Sequence, residues 1–470
     1  HLIMIEMRNC HPFLKPKSVA IVGASERKTS SGGAVLRNLI LTKYPGKIIP
    51  VNPSGGKVLG IKCSKSLLEL KKPVELVVIV VRPDLILNIV DEAIASGHKN
   101  LMILPGGFSE AGTEGQIREK ELLRKTNAAG ITVFGPNSAG CIHLNDKSPF
   151  AATFLRDLPL GGKIALISQS GAISEEIIAT GNKNNLPIST VISVGNSIHL
   201  EITNYLEYLG EYEDCNCILL YIESINNTKH FSEIASKVAR KKPIVALIGG
   251  RTPEGSNAVI NHTGGSSMTD DQASLFMKDC GVIRVKSLRQ LMLAAKGFGF
   301  FPQGIGKRIL LLSNSGGPGV ITTDRLIDSK LEMPPLPENY SLDLKKYLPL
   351  EAAIANPVDM LADAREDRFE ATFNSALKYC KNAYDAVLMI HVVPFMVDAN
   401  PIIKVMSRLA EKTSFSIFHS MMRTLENKNE WFQTMEDSGV AMFENSEDMA
   451  ESAGILAQYP PLQRNLEKNI

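Results

Sequence analysis

The chain has 470 residues, 44% of them hydrophobic and 21% charged, with a formal net charge of +2. These values exclude a largely disordered chain and a nucleic-acid protein that relies on a broad basic face, but they leave room for several cores and a local anion site. Roughly two to four domains are expected at this length, and no apolar run is long enough to span a membrane.

Residues 1–3 are expected to stand outside the fold, and no signal peptide is expected before the first strand. SVAIVG (18–23) reads as a strand, followed by a polar Gly-rich turn and a helix beginning near GAVLRNLIL. KIIPVNP, VELVVIVV (74–81) and NLMILPGG continue the pattern. These runs are apolar on both faces, as strands of a doubly covered parallel sheet must be, so strand–turn–helix repeated predicts an α/β chain. The pattern restarts at GGKIALISQSGAISEEIIATG and again at GKRILLLSNSGGPGVITTDRLI, with linkers near DLPLGG and GFGFFPQGIG. Three doubly wound domains are therefore expected, at 1–155, 156–303 and 304–470.

The two restarts share one device, a strand running into Ser-polar-Ser-Gly and then a helix. Ser170, Gly171 and Ala172 form one such helix start, and Ser315, Gly316 and Gly317 the other. The first amides of a helix lack internal partners and carry partial positive charge, and glycine lets an anion approach closely. Either start taken alone is equally consistent with plain N-capping by serine. Two in successive domains favour a phosphate site.

In the first domain the turn GASERKTSSGG lacks the G-x-G-x-x-G of dinucleotide enzymes, which argues against an NAD-dependent dehydrogenase. It offers Gly23, Ser25, Arg27 and Lys28 to a ligand bearing phosphates. VNPSGG, VRPD, PGGFSE and GPNSAG end further strands, and in an open parallel sheet such turns converge on one crevice. The seven cysteines (Cys10, Cys63, Cys141, Cys215, Cys217, Cys280 and Cys380) show no complete zinc spacing, so reduced thiols and no metal site are expected.

GAS, VNP, V-x-P, GGFSE, GPNSAG, ISQSGA, LLYIES and NHTGG occur in that order. The set resembles the NDP-forming acyl-CoA synthetases, related to succinyl-CoA synthetase, and most closely the α subunits of ADP-forming acetyl-CoA synthetases. SNSGGPGVITTDR and NPVDM (356–360) extend the resemblance into the third domain. It implies a Rossmann-like CoA-binding domain followed by two flavodoxin-like ligase domains. It also implies an acid–thiol ligase that converts acyl-CoA, ADP and phosphate to acid, ATP and CoA through an acyl phosphate and a phosphohistidine.

Within that resemblance His262 of INHTGGSSMTD is the phosphoryl carrier, in a mobile Gly-rich loop, and Glu223 orients it. Ser170–Ala172 and Ser315–Gly317 cradle phosphoryl oxygens, and Asn137 shapes the acyl-phosphate site. Gly23, Ser25, Lys28, Val80, Pro83 and Glu110 would hold CoA. Relatives often carry lysine after VNP; this chain has Ser54 there, so either Lys57 stands in as the cation or the phosphate contacts differ.

The other histidines lack such a setting. His391 and His419 lie in apolar runs and are expected to be structural, while His98 and His230 are expected at the surface near helix ends. No ATP-grasp pattern is found. The resemblance therefore implies a cytoplasmic α2β2 assembly whose ATP-grasp β subunit binds ADP or ATP and magnesium, with no nucleic acid and no membrane. The competing reading is a non-catalytic CoA- or acyl-CoA-binding regulator of the same fold.

Overall fold

The first parallel strand of each main sheet shows why it lies at the centre of its layer. Ile164–Ser168 and Ile309–Ser313 are buried at every residue, and Ser18–Val22 at all but its first. Strands of this kind survive only when helices cover both faces.

The computed structural model describes residues 9–145, 147–265, 268–422 and 427–470. Residues 1–3, and Ser266 and Ser267 of the histidine segment, lie outside the described residues. The chain divides after Leu288 into two units.

The first unit holds two main sheets. Strands β1 (Ser18–Val22) and β2 (Lys47–Val51) are followed by a short antiparallel hairpin, β3 (Lys57–Val58) and β4 (Ile61–Lys62). Next come β5 (Leu76–Ile79), β6 (Asn100–Ile103) and β7 (Thr132–Phe134), and the first sheet runs β2-β1-β5-β6-β7, all parallel. Its apolar core includes Val22, Val77, Ile79, Val90, Phe108 and Leu122.

The second sheet is built from β8 (Gly140–His143), β9 (Phe150–Thr153), β10 (Ile164–Ser168), β11 (Ile188–Ser193), β12 (Cys217–Ile222), β13 (Ile244–Ile248) and β14 (Ile283–Val285). Its order is β14-β13-β12-β10-β11-β8-β9, with β8 antiparallel to β11 and β9 antiparallel to β8.

The second unit carries β15 (Ile309–Ser313), β16 (Val358–Asp359), β17 (Ala386–Val392), β18 (Ser416–Met422) and β19 (Ala441–Phe443) in the parallel order β16-β15-β17-β18-β19.

Numbered within each sheet, the parallel strands follow one order in all three, 2-1-3-4-5. The topological switch point then lies between the first and third strands, and ligands of open α/β sheets bind outside the carboxyl ends there. Each of the three turns singled out in the sequence leaves the first strand at this point: Gly23 after β1, Ser170–Gly171 after β10, and Ser315–Gly316 after β15.

Among the described residues all seven cysteines are free and buried, and no helix is long and apolar enough to cross a membrane.

Candidate active site

The turn after β1 depends on two missing side chains. Gly23 has φ +100, and a Cβ on it would lie 2.3 Å from the Val80 carbonyl oxygen. A Cβ on Gly32, in the first turn of the helix Ser31–Leu41, would lie 2.0 Å from the Gly23 carbonyl oxygen. Glycine at both positions lets turn, helix and neighbouring strand close on one another. Asn52 of VNP braces the turn by donating from Nδ2 to the Ala24 carbonyl at 2.9 Å, and Ser54 donates its backbone N–H back to Asn52 Oδ1 at 2.9 Å. Lys57 is exposed on the hairpin that follows.

Gly23, Ser25, Val80, Pro83, Glu110, Asn137, Ser170, Gly171, Ala172 and His262 all line one cleft of about 1590 Å³ in the first unit. Lys28 does not. Its side chain is exposed, and the cations that line the cleft on this side are Arg27 and Arg82.

Glu110 reaches the cleft, but its carboxylate is already engaged. It accepts from the backbone N–H of Gly107 at 3.0 Å and of Phe108 at 3.0 and 3.1 Å, and from Asn196 Nδ2 at 3.0 Å. It thus fastens the PGGFSE loop. Asn196 also accepts from Asn137 Nδ2 at 3.2 Å, so the loop after β11 ties the loops after β6 and β7 together. Asn196 was passed over in the sequence, although VGNS is another polar Gly turn at a strand end.

His262 is not in a loop. It occupies the last turn of the helix Pro253–Thr263, which Thr252 caps by accepting from Gly255 N–H at 3.0 Å and which Gly264 ends at φ +70. Thr-Pro-Glu is an N-cap followed by proline at the first helical position, a start signal within a stretch that reads as a polar turn. The His262 side chain is 64% exposed, and its Nδ1 lies 3.0 Å from Oε2 of Glu223, which is only 7% exposed. The other oxygen, Glu223 Oε1, accepts from the Tyr221 hydroxyl at 2.9 Å. Burial, reinforced by the neighbouring Glu223 charge, raises the Tyr221 pKa, so Tyr221 stays a donor. A carboxylate holding Nδ1–H selects the tautomer whose Nε2 lone pair faces outward, which makes the imidazole competent as a nucleophile or base at that nitrogen.

The start of the helix Gly171–Lys183 is tightly made. Ser168 Oγ donates to the Ser170 carbonyl at 2.7 Å and accepts from the Ser170 N–H at 3.0 Å, while Ser170 Oγ accepts from Ile173 N–H at 3.2 Å. A Cβ on Gly171 would stand 3.1 Å from Ala139 Cβ, so GPNSAG abuts the helix start. In the second unit Ser313 Oγ repeats the first two bonds with Ser315, at 2.7 and 2.9 Å. There Ser315 makes no side-chain cap, and Gly316 and Gly317 are exposed at the start of the helix Gly316–Asp328.

His391 and His419 are 1% and 0% exposed in the second unit, and burial lowers the His391 pKa to about 4. His98 departs from expectation. It is buried at 1% exposure, accepting from Val74 N–H at 3.2 Å and pairing through Nδ1 with Ser96 Oγ at 2.8 Å. The turn after its helix folds it inward. Among the described residues no three of His, Cys, Asp and Glu could hold a metal ion.

The switch-point turns and the carboxylate-held imidazole define an α/β protein with a histidine on a cleft of the kind that takes an anionic ligand. Comparison with known proteins narrows the class. Residues 17–144 match the CoA binding domain family, and residues 161–298 the succinyl-CoA ligase like flavodoxin domain. The α subunit of acetate–CoA ligase [ADP-forming] II from Pyrococcus furiosus is 33% identical over 95% of this chain and 97% of its own length. The acetate–CoA ligase [ADP-forming] of Methanocaldococcus jannaschii is 35% identical over 74% of this chain, but over only 49% of its own length. The structure of dinucleotide-forming acetyl-coenzyme A synthetase 1 from Ca. Korarchaeum cryptofilum, solved with phosphate and ADP, superimposes with a TM-score of 0.91 at 27% identity, covering 98% of this chain and 99% of that one. The chain belongs to the family of α subunits of ADP-forming acetate–CoA ligases, which are acid–thiol ligases.

Proposed function

We propose that the chain, with a partner subunit, converts acyl-CoA, ADP and phosphate reversibly to acid, ATP and CoA. A phosphate oxygen attacks the thioester carbonyl, the C–S bond breaks, and CoA leaves with a proton. His262 Nε2 then attacks phosphorus, the bond to the carboxylate oxygen breaks, and the acid is released. The terminal oxygen of ADP takes the phosphoryl group as the N–P bond breaks. Phosphoryl transfer relies mostly on positioning and charge stabilisation, which helix-start amides and a fixed imidazole supply.

In this reading Gly23, Ser25, Val80, Pro83, Arg27 and Arg82 receive CoA, with Glu110 acting through its loop and Lys28 left outside the cleft lining. Ser170–Ala172 and Asn137 receive the phosphoryl group, and Ser315–Gly317, which shares the serine turn but has no side-chain cap, forms a second anion cradle. The three sheets stand for three domains, CoA-binding first and two ligase domains after it. A cytoplasmic α2β2 assembly follows, with an ATP-grasp β subunit holding ADP or ATP and magnesium. The half-length match to the Methanocaldococcus jannaschii ligase supports a partner that supplies the remainder.

The observation carrying the proposal is the 3.0 Å contact between Glu223 and His262 at the cleft that also takes in the Gly23 turn. The experiment is labelling with γ-³²P-ATP in the presence of the partner subunit. Acid-labile, base-stable label is expected on the wild type and absent from His262→Ala; label persisting in His262→Ala overturns the assignment.

A further inference from the structure

We infer that Gln169 is a positioning residue for the Glu223–His262 pair, an inference that rests on the proposed phosphohistidine chemistry. Gln169 stands at the switch point between β10 and β12 and lines the cleft beside Ser170. Its backbone N–H donates to the Tyr221 carbonyl at 3.1 Å. Its side-chain oxygen accepts from the N–H groups of Glu223 at 2.5 Å and Ser224 at 3.0 Å, and Nε2 donates to the Ser224 carbonyl at 2.7 Å. The two N–H groups held by that oxygen flank the Glu223 Cα. The amide therefore fixes the point from which the Glu223 side chain departs, and with it the carboxylate that holds His262 Nδ1.

The second unit provides an internal control. Asn314 occupies the same place between β15 and β17, and its N–H donates to the Ile390 carbonyl at 3.3 Å. Its shorter amide holds a single residue, accepting from Val392 N–H at 2.8 Å and donating to the Val392 carbonyl at 2.7 Å. Val392 stands at the position of Glu223, so this copy keeps the amide brace without a carboxylate to aim. Asparagine thus suffices to hold the strand end. The additional methylene of Gln169 lets one oxygen bridge both sides of Glu223.

Gln169→Asn should convert the first brace into the second. With the partner subunit present, it is expected to melt within about 2 °C of wild type and to bind CoA within about twofold, while ³²P transfer to His262 slows about tenfold or more, as sub-ångström misplacement of a reacting group does. Because Gln169 acts through Glu223, the double variant Gln169→Asn/Glu223→Gln is expected to label no more slowly than Glu223→Gln alone. Labelling of Gln169→Asn at the wild-type rate, or additive loss in the double variant, overturns the inference. A second readout needs neither partner nor turnover: ¹⁵N-imidazole spectra, with His262→Ala for assignment, should show Gln169→Asn losing the Nδ1–H tautomer at His262. An unchanged tautomer overturns the positioning role, whereas absent label on the wild type with a shifted tautomer overturns only the phosphohistidine chemistry.

Discussion

Replacing Glu223 by glutamine keeps the shape of the side chain and removes its charge. The buried carboxylate now accepts from the Tyr221 hydroxyl with one oxygen and meets His262 Nδ1 with the other. In Glu223→Gln only one oxygen remains. If it stays with Tyr221, the amide NH2 faces His262 and stabilises the tautomer that carries its proton on Nε2, where the attack must occur. A hydrogen bond to a charged group contributes about 1.5–3 kcal/mol. The imidazole is 64% exposed, so water screens the pair and the lower part of that range applies. A loss of about 1.5–2 kcal/mol corresponds to roughly 10- to 30-fold in rate. Rapid-quench measurement of ³²P transfer from ATP to His262, with the partner subunit present, should show this slowing, while CoA affinity by calorimetry stays unchanged. Transfer within twofold of wild type would refute the argument that Glu223 sets the tautomer.

Two further outcomes follow from packing and from burial. Gly32→Ala places a methyl group 2.0 Å from the Gly23 carbonyl oxygen, which backbone movement must relieve. A loss of about 1–3 kcal/mol of stability is expected, seen as a lower melting midpoint, with CoA binding weakened at least about tenfold; unchanged melting and affinity would contradict the close-approach argument. His391, neutral in the fold with its pKa lowered to about 4, must be compared with an unfolded value near 6.5. Between those values the unfolded chain binds a proton that the folded chain does not, so stability is full above about pH 6.5 and falls as pH drops toward about 4, by about 3 kcal/mol for this group. His419 shifts in the same direction, by burial and by the facing His391, and steepens the loss. Chemical denaturation of His391→Gln at pH 7 and pH 4.5 should show a flatter dependence than wild type; an equal slope would sink this account.

The succession of strands and helices, and the first-strand turns at 23, 170 and 315, were legible in the chain because runs apolar on both faces have few alternatives to a covered parallel strand. Fully local devices could be read in the same way: Ser170 before Gly171 starts a helix, and Gly23 before a polar turn marks a close approach. The helix carrying His262 was readable in principle from Thr252 and Pro253, but its polar composition resembles a turn.

Other features depend on residues distant in sequence. β8 and β9 hydrogen-bond to the second sheet because β11 offers an open edge, which no pattern within 140–153 reveals. The resemblance already paired Glu223 with His262; what the fold adds is the groups that hold Glu223 in place, Tyr221 and Gln169, and the nitrogen of His262 that it meets. Sequence pattern determines local conformation, because backbone sterics and apolar periodicity act over a few residues. Which nitrogen of His262 is free to react is decided by tertiary structure alone, because hydrogen-bond geometry and burial belong to groups brought together only when the sheets assemble.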